Sequence, residues 1–242
     1  MKVGYKDLGV MPYAECWKLQ QQLFDERLAI HRAEGGSSTE RCGTILTVEH
    51  KPVYTLGKSG DAANLLVARD YLQQLGAEFI ESDRGGDITF HGPGQIVCYP
   101  ILDLNVIGIG LRRYIEALEE AVIRTIAHYG IIGRRLAGAT GVWVEHSSAE
   151  GIARLEKICA IGVRASHAVT MHGLALNVAT DLKWFHLINP CGFVDKGVTS
   201  IEKECGRKVD VAEVRQRLVE ALARELQCDV IEEQLDMEET KN

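Results

Sequence analysis

The chain has 242 residues, 25% charged and 46% hydrophobic, a mixture that excludes a disordered, collagen-like or low-complexity protein. Thirty-four acidic against 27 basic residues give a net charge of -7, without the basic excess of a nucleic-acid binder. No run of about 18 apolar residues occurs and no apolar N-terminal segment is flanked by positive charge, so no membrane span or signal peptide is expected; seven scattered cysteines without a C-x-x-C pair fit a reducing cytoplasm.

KVGYKDL at the start reads as a strand, and residues 12–33 as a helix with Leu19, Leu23 and Leu28 among polar neighbours. GTILTVEH (43–50) is rich in β-branched residues and reads as a strand. A short helix over 68–75 ends at Gly76, and AEFIES (77–82) follows as a strand. After the glycine-rich stretch RGGDITFHGPGQ (84–95), IVCYPILDL (96–104) reads as a strand. Ile115, Leu118, Val122, Ile126 and Tyr129 recur at helical spacing over 111–129. Three strands are expected at 141–145, 157–164 and 172–178, with 146–156 as a surface loop between the first two. Val211, Val214, Leu218, Leu222 and Leu226 mark a second amphipathic helix, and residues 229–242 read as an acidic, frayed tail. Strands and helices mix without strict alternation, which predicts an α+β fold with a mixed or antiparallel sheet flanked by helices, and a single domain over 1–242.

Familiar site motifs fail. GKS at 57–59 lacks the upstream glycine that a phosphate loop needs. There is no G-x-S-x-G elbow, and the histidines and cysteines miss zinc spacing. No metal or cofactor is expected. The 84–95 segment differs: Gly85, Gly86, Gly92 and Gly94 allow close backbone approach around Arg84, Thr89, His91 and Gln95, which can hydrogen-bond a ligand. A turn with a glycine hinge explains the same pattern. Cys191 sits between Pro190 and Gly192, as on a turn, and Lys157 opens an otherwise apolar strand. A placed charge and a snorkelling edge lysine are both consistent with that position.

EHKPVYTLG (49–57), RGGDITFHGPGQIVCYP (84–100), KICAIGVR (157–164), HGLALNV (172–178) and INPCG (188–192), in that order, resemble the motif set of the lipoyl(octanoyl) transferases. The resemblance spans residues 5–220; the 146–156 loop is longer than the family pattern needs. It implies the catalytic fold shared by biotin and lipoate protein ligases. It also implies transfer of an octanoyl group from octanoyl-acyl carrier protein to a lysine of lipoyl domains. The acceptors would be 2-oxoacid dehydrogenase E2 subunits and the glycine cleavage H protein. A Cys/Lys dyad maps onto Cys191 and Lys157, with an acyl-Cys191 thioester as intermediate. Substrate contacts map onto Arg84, Gly85, Gly86, Asp87, Ile88, Thr89, Phe90 and His91, onto Ala160, Ile161 and Gly162, and onto Gly173, Leu174 and Ala175. Oxyanion donors are expected from the backbone of 160–162 and 173–175, or from the 84–91 loop. His91 is an alternative base or an orienter of its loop. Ile161, Leu174 and Leu176 are candidates for an apolar slot, and Arg112, Arg113, Arg134 and Arg135 for a basic docking patch or a solvated face. An ATP-dependent ligase and a non-catalytic binding module are the competing readings.

Overall fold

The computed structural model describes residues 1–34, 41–147, 153–189 and 196–233. The strands and helices, in chain order, are β1 (Lys2–Met11), α1 (Tyr13–Glu34), β2 (Arg41–His50), β3 (Val53–Leu56), α2 (Arg69–Gln74), β4 (Glu78–Glu81), β5 (Thr89–His91), β6 (Gln95–Leu102) and α3 (Leu104–Ile107). They continue with α4 (Leu111–Ala127), β7 (Gly133–Leu136), β8 (Ala139–Ser147), β9 (Ala153–Ser166), β10 (Val169–Asn177), β11 (Gly197–Val198), α5 (Ile201–Cys205), α6 (Val211–Leu226) and β12 (Asp229–Glu232).

The main sheet runs β12-β1-β2-β6-β10-β9-β8-β7, and β11 pairs with β9. β1 is parallel to both neighbours; the β2-β6-β10-β9-β8-β7 run is antiparallel. Both faces are covered, so the central strands are buried throughout; every residue of β6 and β10 is buried. Side-chain alternation along β6 divides the layers. Ile96, Cys98 and Leu102 pack on the α4/α6 side with Leu118, Val122, Leu218 and Leu222. Val97, Tyr99 and Ile101 pack on the α1 side with Cys16, Phe24 and Leu46. Each large apolar side chain so buried contributes roughly 1.5–3 kcal/mol. Asp210 caps α6 by accepting from the Ala212 amide at 2.9 Å. A second sheet, β4-β3-β5, sits with α2 over a core of its own around Tyr54, Leu72, Ile88 and Phe90.

The expected α+β architecture and each expected strand and helix are present, with two corrections. The 146–156 segment is not all loop: His146 pairs with Arg154 and Ser147 with Ala153, so β8 and β9 extend as a hairpin. Its polar side chains suit a solvent-facing strand as well as a loop, which concealed the pairing. The tail does not fray at 229: Asp229–Glu232 adds to the edge of β1, with Val230 opposite Val3. Among the described residues no helix is long and apolar enough to cross a membrane.

Candidate active site

A cavity of about 410 Å³ lies between the main sheet and the 84–91 segment. Its floor exists because side chains are small on two adjacent strands. Ala160 of β9 lies opposite Ala175 of β10, and Gly162 opposite Gly173. These four residues, with Ile161 and Leu174, line the cavity.

The roof is tied down by main chain. Gly85 N donates to Val163 O at 2.9 Å, and a Cβ on Gly162 would lie 2.6 Å from Gly85 O. Only glycine at 162 lets the two backbones approach this closely. Arg84, buried, donates through Nε to Thr55 Oγ1 (3.1 Å), through Nη1 to Gly85 O (3.0 Å) and through Nη2 to Asp87 O (2.7 Å). Its guanidinium thus shapes the loop from inside. Asp87 accepts from the Ile88 amide (2.7 Å) and from Asn64 Nδ2 (2.5 Å). The 57–59 amides, which a phosphate loop would present to an anion, are bonded to the carbonyls of Asp87, Arg84 and Gly86.

Lys157 lies at one end of the cavity, buried, with Nζ 4.6 Å from the Trp143 ring centroid. Val198 of β11 pairs with Lys157, and Thr199 N donates to Lys157 O at 3.0 Å. On the other flank of 190–195, Asn189 N donates to Asn64 O at 2.8 Å. The expected nucleophile, Cys191, lies outside the described residues. Burial opposes ionisation of three of the described cysteines, pushing the Cys16 and Cys98 thiols up to about 12 and Cys159 higher.

A buried polar chain runs beneath the cavity. Gln95 Nε2 donates to Phe90 O (3.1 Å) and Asn177 Oδ1 (2.9 Å), so its Oε1 accepts from His91 Nδ1 at 2.9 Å. Asn177 Nδ2 donates to Thr199 O at 3.0 Å. His91 Nε2 then carries the lone pair and faces Thr55 Oγ1 at 3.4 Å. Burial, with the charges of His50 and Arg84, holds His91 well below the ordinary imidazole value. Both ring nitrogens are engaged, which favours the loop-orienting role for His91 over that of base.

Of the expected contacts, Arg84 to Thr89, His91, Ala160 to Gly162 and Gly173 to Ala175 line the cavity. Phe90 does not: its ring stacks on Trp184, centroids 5.2 Å apart, in the small-sheet core. Leu176 turns to the α4/α6 core rather than the slot. The ladder amides of 173–175 are spent, because β10 is paired on both sides. On the outer edge of β9, the β8 ladder stops at Val142 opposite Cys159 and Gly85 takes the Val163 carbonyl, so the outward main chain of Ile161 lies beyond both. The four arginines form ion pairs: Arg112 with Glu116, Arg113 with Glu225, Arg134 with Glu145, and Arg135 with Glu119 and Glu120. They behave as a solvated face. The sequence reading missed Tyr13, Val97, Tyr99, His172 and Asn177 as lining residues. Strict alternation of Gln95, Val97 and Tyr99 was the available signal for part of the set.

Several solved structures match this fold over nearly the whole chain. The putative lipoate protein ligase Ta0514 from T. acidophilum with bound lipoic acid has a TM-score of 0.67 at 17% identity, covering 96% of this chain and 89% of its own. A lipoate-protein ligase A bound with ATP has a TM-score of 0.66 at 15% identity, covering 96% and 87%. The protein therefore has the fold of the lipoate protein ligases. A family model described as Lipoyl protein ligase A/B catalytic domain matches residues 12–223. An octanoyltransferase of Bacteroides fragilis (strain YCH46) is 53% identical over 218 residues, 90% of this chain and 95% of the relative. One from Flavobacterium johnsoniae is 45% identical over 233 residues, 95% of this chain and 99% of the relative. The chain belongs to the lipoyl protein ligase A/B catalytic domain family, and within it to the octanoyltransferases.

Proposed function

We propose that this octanoyltransferase, an acyltransferase of protein lipoylation, works through an acyl-Cys191 thioester with Lys157 as the proton-handling partner. The observation that carries the reading is the return of the chain, just after 190–195, to pair with Lys157 at the end of the cavity. The donor is octanoyl-acyl carrier protein, and the acceptors are lysines of lipoyl domains in 2-oxoacid dehydrogenase E2 subunits and the glycine cleavage H protein. The reaction takes place in the cytoplasm, the reducing compartment to which the free cysteines are suited.

A free thiol has a pKa near 8.5 and is only a few per cent thiolate at neutral pH. An ammonium about 4 Å away attracts a thiolate by roughly 4 kcal/mol at an effective dielectric of ~20, part of which desolvation cancels. The Lys157 ammonium thereby favours the Cys191 thiolate, which attacks the donor thioester carbon; the carrier thiolate leaves with the Lys157 proton, and Lys157 is left as a neutral amine. The acceptor lysine then attacks the acyl-enzyme, Lys157 takes its proton, and the amide forms as Cys191 leaves. Thioester exchange is nearly isoenergetic and amide formation is downhill, so the reaction requires no ATP. The outward amide of Ile161 serves the developing oxyanion. The trough over Ala160, Gly162, Gly173 and Ala175 takes the acyl chain, and Arg84 to His91 roof it. Burying seven carbons supplies about 5 kcal/mol.

Intact-mass analysis after mixing with octanoyl carrier protein, without ATP, tests this directly. An octanoyl adduct on the wild type that vanishes in Cys191→Ala supports the thioester route; undiminished transfer in that variant overturns it. A ligase reading requires ATP-dependent transfer with no adduct.

A further inference from the structure

His172 immediately precedes the cavity-floor Gly173, and its geometry is unusual in three respects. It is 1% exposed, and its backbone takes φ +58°, a left-handed conformation that a histidine adopts at a cost. Its amide turns from the ladder to Gln20 Oε1 of α1, at 3.1 Å. Nε2 bonds Asp83 Oδ1 at 2.7 Å, and Asp83 also binds Arg164 of β9. Asp83 is the residue before Arg84, where the roof of the cavity begins. The His172 bond, together with Arg164, holds the Asp83 carboxyl below its usual range, so it is a carboxylate and Nε2 carries the proton. Nδ1 is therefore a bare acceptor. It is buried, has no partner among the described residues, and belongs to a ring that lines the cavity. Strain of this kind persists only where surrounding contacts over-determine it.

We propose that His172 is a positioning residue that latches Asp83, and through it the Arg84–Asp87 roof, over the acyl trough. The inference rests on the reading of this cavity as the acyl site. Gly85 N on Val163 O holds one point of the roof against the sheet, and His172 holds the point two residues earlier. The latch acts on how donor binds, not on the transfer of the acyl group between Cys191 and the acceptor.

Two variants separate the ring nitrogens. Asn tolerates the left-handed backbone and keeps a polar atom near Nδ1, but falls short of Asp83. Gln carries its amide nitrogen near the Nε2 position and retains a donor for Asp83. With octanoyl carrier-protein thioester as varied substrate, His172→Asn is expected to raise KM roughly tenfold or more, as loss of a bond to a charged group implies, with kcat within about twofold. His172→Gln is expected to restore most of the KM. Asp83→Ala should match His172→Asn, and the double variant should be no worse than either single one. Should His172→Asn fail to fold, the partly exposed Asp83 position carries the same comparison. An unchanged KM in Asp83→Ala, a loss in kcat with KM intact, or a Gln variant as impaired as the Asn variant overturns the latch. Absence of octanoyl transfer by the wild type would instead overturn the underlying reading.

Discussion

Val198 stands directly opposite Lys157, so the chain that leaves the sheet after β10 comes back to it beside the cavity's amine. Nineteen residues are spent on this excursion, 178–196 by number, and the strand edge that β10 vacates is reoccupied at the position where charge is needed.

Removing the amine should cost chemistry rather than folding. Lys157→Ala is expected to lower kcat by about 10²–10⁴-fold, the usual contribution of a placed acid–base group. Lys157→Arg should not rescue it, because a guanidinium does not give up its proton. Single-turnover acylation and deacylation rates check both.

The trough should be shortened by adding carbon to its floor. Ala175→Val places two more carbons where the strand tolerates a branched residue. Losing burial for two methylenes of substrate costs about 1.6 kcal/mol, roughly tenfold in kcat/KM for octanoyl. Hexanoyl should be penalised less, which a competition assay between the two donors measures.

Gly162 sets the height of the roof. A Cβ there would meet Gly85 O at 2.6 Å and Arg84 at 3.4 Å. Gly162→Ala should displace the loop, lowering transfer at least tenfold while the thermal midpoint falls only modestly. Equal activity in this variant would show that the loop yields without consequence.

Acid should destabilise the fold through His50. This buried ring donates from Nδ1 to Met11 O (2.8 Å) and accepts from Tyr99 O–H at Nε2 (2.8 Å). Burial lowers it from 6.5 to about 4, partly offset by the Met11 bond. The unfolded chain therefore binds more protons between those values, and stability present above about 6.5 drains away as pH falls toward 4. The contribution is of order 3 kcal/mol. Urea midpoints at pH 7 and pH 5 should converge in His50→Gln relative to the wild type; an unaltered acid limb in that variant would refute the assignment.

The sequence made the frame readable where one physical rule dominated. Helical spacing located α4 and α6, and β-branched runs located β2 and the central strands. The glycine-rich 84–95 segment stood out because its composition serves backbone contact. The polar hairpin of β8 and β9 was hidden, since exposed strand and loop share a composition, and β12 was hidden because its pairing to β1 is contact across the whole chain length. His172 carried no local sign of its backbone; its conformation follows from Gln20 and Asp83, 152 and 89 positions away. The four arginines read as either a docking patch or a solvated face, and each found a glutamate on its own or a neighbouring helix or strand.

The buried chain from Thr55 through His91, Gln95 and Asn177 to Thr199 has a direction. Each donor points the same way, and the series ends on a main-chain carbonyl that cannot reverse its role. Turning any one amide would force two acceptors or two donors together, and the fixed terminal carbonyl keeps the set from reversing as a whole. The proton's place on the imidazole that lines the cleft is thereby dictated by a peptide group three hydrogen bonds away.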